Sequence, residues 1–182
     1  MRLARFLALA AIAGLGICYV TAADDDSKAI KAAILKLADA LEKNDKDAAK
    51  KLVDELKKND LENIMDVFKT TKGGGFDVVG KEGIENKIRA LSKKAADVKT
   101  NAENYEKMAK IVGAVFEVVL QKCPVDSKQG AKDPKKFADW CKEVTEGAKA
   151  LSEAAKAKDA KRVTDAAKKV NQACNDCHEV FK

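Results

Sequence analysis

The sequence predicts an all-α protein, and three observations carry the helical class. The chain is rich in Ala, Lys, Leu and Glu, all strong helix formers, and holds only two prolines. Apolar residues recur at three- and four-residue spacing almost throughout the segment after Asp26. No stretch gives a convincing strand.

The elements follow from that period. A first helix is expected from about Ser27 to Lys43, with Ile30, Ala33, Ile34, Leu37 and Leu41 on one face and Asp26 as N-cap. Asn44-Asp45 makes a turn. From about Asp47 to Lys69 the apolar stripe runs through Leu52, Val53 and Leu56, then Leu61, Ile64, Met65 and Phe68. It shifts at Asn59-Asp60, where Asn59 and Glu62 suit a capping box, so two helices at an angle are expected. Thr70 to Gly80, with Gly73-Gly74-Gly75, reads as a loop, and no Gly-Lys-Ser/Thr makes it a phosphate-binding one. A third helix is expected over about Gly83 to Lys99 and a more apolar, central one over about Ala102 to Lys122.

The last two helices form a hairpin. Pro134 suits the first turn of a helix that places Phe137, Trp140, Cys141, Val144, Ala148, Leu151 and Ala155 on one face. After a turn at Lys158-Asp159 comes a helix with Val163, Ala166, Ala167, Val170, Ala173, Cys174, Cys177 and Phe181. Its small residues suggest room for a flat macrocycle between helices.

That last helix carries the most informative pattern, Cys174-Asn175-Asp176-Cys177-His178. The C-x-x-C-H spacing suits covalent attachment of a c-type haem, with two thiols as thioethers and the adjacent imidazole as axial ligand to the iron. His178 is the sole histidine. A zinc site would draw on the same three residues and Cys123 or Cys141, but consecutive helical positions serve one small ion poorly. A thioredoxin-type pair is disfavoured because it follows a strand in a βαβ unit. A simple disulfide is the remaining alternative.

Residues 1–23 read as a secretory signal peptide: Arg2 and Arg5 precede an apolar run, and Val20-Thr21-Ala22 or Thr21-Ala22-Ala23 offers a small-residue cleavage site. The run is shorter than the roughly 20 apolar residues of a membrane span. The mature chain, 24–182, is expected to be one helical haem-binding domain without a membrane anchor, in the periplasm. Export and haem attachment agree, since c-type haem is joined to thiols outside the cytoplasm in bacteria. Without Arg2 and Arg5, 33 of the 35 basic residues stand against 29 acidic ones. That excess is small and interspersed, and aromatic residues are few, which argues against nucleic acid. Cys123 and Cys141 remain as a pair in an oxidising compartment, so a disulfide is expected there as a staple, with a redox-active pair as the alternative.

The chain resembles the class II c-type cytochromes, the cytochrome c′ family. The resemblance rests on C-x-x-C-H within the last helix and on the preceding hairpin, Trp140, Leu151, Ala154-Ala155, Asp159, Val170, Cys174, Cys177, His178, Phe181 and Lys182. It implies a four-helix bundle holding one haem, His178 as proximal ligand, Phe181 beside the cofactor, and dimers in many members. It makes the stretch from Ser27 to about Lys58 an added hairpin. Members usually carry Arg where Lys182 stands; lysine keeps the charge but loses the bidentate donor.

The far side of the iron separates two functions. Electron transfer to a redox partner protein, with six-coordinate iron, needs a methionine, because no second histidine exists; Met65 is the candidate and Met108 the other choice. The plain reading of Met65 is core filler. The alternative is a five-coordinate protein that binds a diatomic gas (NO or CO) in an apolar pocket. No nucleophile or general-base constellation accompanies the motif, so an enzyme is not expected.

Overall fold

A computed structural model describes residues 22–181 of the protein. The expected signal peptide lies almost entirely outside the described residues. Among those residues there are seven α-helices and no strand: α1 (Ala22–Glu42), α2 (Lys46–Leu56), α3 (Leu61–Met65), α4 (Gly83–Leu91), α5 (Val98–Val119), α6 (Pro134–Lys156) and α7 (Ala160–Phe181). None of the described helices is long and apolar enough to cross a membrane.

Aspartates cap three of the helices. Asp45 caps α2 by accepting the Ala48 amide at 3.0 Å, after Asn44 turns the chain at φ 55°. Asp133 caps α6, accepting from the Lys135 amide at 2.9 Å, with Pro134 in the first turn. Asp159 accepts the Arg162 amide at 3.0 Å at the head of α7.

Three features differ from expectation. α1 begins at Ala22, so Asp26 lies inside it rather than capping it; an acidic run suits a helix N-terminus, where it meets the positive end of the dipole. The Asn59–Glu62 capping box is absent, because Asn59 Nδ2 turns back to donate to the Leu56 carbonyl at 3.0 Å. The third expected helix stops at Leu91 instead of Lys99. There the Ala95 amide donates to Thr164 Oγ1 of α7 at 3.2 Å, a tertiary bond that replaces a helical one. α5 as a whole starts at Val98, but Asn101 breaks it at φ −115° and ψ 15°, so its long regular stretch begins at the expected Ala102.

α4 to α7 form an up-down-up-down bundle. α5 packs chiefly on α6, α6 on α7, and α4 on α7, while the α1–α2 hairpin lies against α5. The Ala95–Thr164 bond ties the end of α4 to the start of α7, so these two helices run antiparallel. The hairpin is tied to the same far end, where Lys110 of α5 donates to Glu42 of α1 at 2.7 Å and Lys156 of α6 lies 3.4 Å from Glu106. One core runs through all of it, from Ile34 and Leu37 through Val115 and Leu151 to Val170, each 0% exposed.

Around Val170 the small face of α7 packs closely on α6. A Cβ added at Gly147 of α6 would stand 2.7 Å from Val170 Cγ2. Gly147→Ala is therefore expected to be destabilising by about 1 kcal/mol net, overpacking against a stiff β-branched side chain outweighing the helix propensity gained. Urea unfolding midpoints check this, and an unchanged or raised midpoint would show that α6 and α7 can separate without cost.

Candidate functional site

The motif occupies the last two turns of α7, where the buried stripe Val163, Ala166, Ala167, Val170 and Ala173 continues through Cys174, Cys177 and Phe181. At about 100° per residue, Cys177 lies about 60° to one side of Cys174 and His178 about 40° to the other. The stripe is centred on the Cys177 side. Both thiols are accordingly half-buried and packed against the core, whereas His178 is exposed at its flank. Both thiols thus face the core, and His178 stands at the edge of that face.

The surroundings of the thiols are apolar. Burial pushes the Cys174 thiol up to about 12, with Cys177 and Glu85 adding to the shift, and pushes Cys177 up to about 11, with Cys123 adding. Cys141 of α6 is 2% exposed and rises to about 12, first from burial and then from Cys177, Cys123 and Cys174. These mutual influences place the four described cysteines at one end of the bundle and bring Glu85, in the first turn of α4, to the same end. The disulfide expected between Cys123 and Cys141 is not formed in this structure: both are free thiols. Among the described residues, no group of three or more His, Cys, Asp or Glu side chains could hold a metal ion.

Phe181 turns toward α6. Its ring meets Phe137 edge-on at 5.2 Å and Trp140 at 6.2 Å, closing the end of the α6–α7 pair. α4 presents Ile84 (0% exposed) and Ile88 (5%) to the core. Met65 is half-buried at the end of α3, packed against the core. Met108 is fully buried on α5, within one turn of Lys110 and so at the far end of the bundle. A groove between α1, α5 and α6, lined by Ala38, Leu41, Gly113 and Ala148 among others, includes no residue of the motif.

Sequence reasoning missed the device that sets the start of α4. Gly75 and Gly83 both abut the Lys69 carbonyl, so closely that a Cβ at either would overlap it, and Gly83 adopts φ +81°. The Gly73-Gly74-Gly75 run and the isolated Gly83 were the available signal.

The residues at this end suit a haem by their chemistry: two inward thiols one turn apart, an imidazole beside the second, and apolar walls. The family model described as Cytochrome C′ matches residues 79–182, more than half of the chain and all of α4 to α7. No curated protein and no solved structure was found to match. The match over the bundle and its motif-bearing helix makes the chain a member of the cytochrome c′ family.

Proposed function

We propose that this haem-binding c-type cytochrome carries one haem c, joined as thioethers to Cys174 and Cys177 with His178 as proximal ligand, and acts in periplasmic electron transfer. The observation that carries the reading is the placement of both thiols on the inner side of the final turns of α7, with His178 at the flank, inside a bundle of the matching family. Bound haem supplies a one-electron iron couple. The chain's own part is to hold and shield. The thiols fix one edge, Ile84 and Ile88 of α4 contribute apolar wall, and the Phe137–Trp140–Phe181 cluster closes the end against water. No catalytic role is assigned.

Within this reading Met65 would be the methionine that holds the iron. Met108 sits about 16 Å along α5 from the motif end, beyond the reach of an axial ligand. Met65→Ala is expected to change the visible spectrum and lower the reduction potential; an unchanged spectrum removes Met65 from the coordination sphere.

The second reading, a five-coordinate protein binding NO or CO, is favoured by a different observation. α4, the helix facing the motif, buries only apolar side chains, Gly83, Ile84, Ile88 and Leu91. Immediate binding of carbon monoxide by the ferrous protein at neutral pH supports that reading, and failure to bind supports the six-coordinate one.

A further inference from the structure

Cys123 and Cys141 are the two described thiols that the haem reading leaves unused, and the packing of α6 on α7 gives Cys141 a definite neighbour. The two helices run antiparallel, so steps forward along α6 match steps back along α7. Phe137 meets Phe181, with ring centroids 5.2 Å apart. One turn onward from Phe137 is Cys141, and one turn back from Phe181 is Cys177. The contact between Gly147 and Val170 agrees, because counting from it toward the motif brings Cys141 level with Cys177 to within one residue. The backbones are close there, since a Cβ added at Gly147 would stand 3.4 Å from the Val170 backbone nitrogen. A disulfide asks for facing Cβ atoms and Cα atoms within about 7 Å, a spacing that helices packed this closely provide.

Burial and electrostatics point to the same pair. Cys141 is 2% exposed, and Cys177 packs against the same core. Among the thiols that act on Cys141, Cys177 acts most strongly, ahead of Cys123 and Cys174. That order agrees with the helix register and differs from the pairing of Cys123 with Cys141 that the sequence suggests.

We propose that Cys141 and Cys177 form a disulfide across α6 and α7 in the oxidised, haem-free chain, and that this crosslink and thioether attachment at Cys177 exclude each other. Cys177 is the more exposed of the two, so it meets an oxidant first. Its sulfur attacks a disulfide-bearing oxidant and displaces one thiol, and the Cys141 sulfur then displaces the other. Two protons and two electrons pass from the pair to the oxidant, whose disulfide becomes a dithiol. A dithiol reductant reverses both steps. Thioether formation consumes the Cys177 S–H, which the disulfide lacks, so dithiol–disulfide exchange must precede attachment there. The exclusion rests on the covalent-haem reading above, whereas the crosslink does not.

Disulfide mapping of the unaltered protein, exported to an oxidising compartment without haem-attachment machinery, tests the pairing. Free thiols are alkylated and the chain is cut with trypsin, which leaves Cys123, Cys141 and the motif on separate peptides, 123–128, 137–142 and 170–182. The expected product joins 137–142 to 170–182 through Cys177. A bond from Cys141 to Cys123, a bond between Cys174 and Cys177, or full alkylation would overturn the proposal. These results are read on haem-free protein and leave the cytochrome reading intact. Incubation with ferrous haem tests the exclusion: Cys177 should gain haem only after dithiothreitol, whereas Cys141→Ala should need no reductant. Haem on Cys177 of the oxidised protein without reductant would overturn the exclusion. No haem on the motif of the fully reduced protein would overturn the reading beneath it.

Discussion

Cys174→Ser with Cys177→Ser is expected to abolish covalent haem entirely: after acid–organic extraction no colour should remain with the polypeptide. Each thiol supplies one thioether, so either single serine variant should retain haem through the other sulfur, with a shifted reduced spectrum. The fold should survive, because the buried stripe of α7 from Val163 to Ala173 is untouched and packs against α6. Circular dichroism separates loss of haem from loss of helix. Covalent haem persisting in the double variant would show that the attachment lies elsewhere.

Gly83→Ala is expected to be the most damaging single substitution outside the motif, at roughly 2–5 kcal/mol. Two costs combine there. The residue adopts φ +81°, where an L side chain is strained, and its Cβ would overlap the Lys69 backbone, which no rotamer change can relieve. Gly80 provides the control, because it has φ +83° but nothing within 4 Å of an added Cβ. Gly80→Ala should therefore show only the first cost, about 1–2 kcal/mol. The difference in urea midpoint between the two variants measures the overlap, and equal midpoints would show that the backbone around Lys69 is not rigid.

The bundle was legible because its helices are amphipathic over long, uninterrupted stretches. α5 and α6 each repeat an apolar stripe for five turns or more, Asp133 with Pro134 marks the start of α6, and Asp159 marks the start of α7. Where an end depends on a partner far along the chain, the sequence carries no local sign of it. Ser92 to Lys99 is composed largely of good helix formers, yet α4 stops at Leu91 and the Ala95 amide bonds to Thr164, 69 residues away. The small residues of α7 illustrate a different limit. Ala166 and Val170 leave room in composition alone, but helices close over small side chains, and here α7 closes on Gly147 of α6.

The site divides in the same manner. Cys174, Cys177 and His178 lie within one turn, so their spacing alone brings them together. Their separation into inward thiols and an outward imidazole depends on where the core lies, which only the packed bundle determines. Cys141 was legible as one residue of an apolar stripe. Its place opposite Cys177 arises from the register of α6 on α7, which helical periodicity does not encode.

The central claim is that this chain, matured outside the cytoplasm, carries a single haem bonded to the two thiols of its last helix. Intact mass spectrometry of the denatured protein, expressed with haem-attachment machinery, tests it most directly. The predicted result is a polypeptide beginning near Ala23 or Asp24 and heavier by one haem, with the added mass on the peptide spanning Cys174 to His178. A denatured polypeptide at its unmodified mass, with no haem on that peptide, would contradict the account.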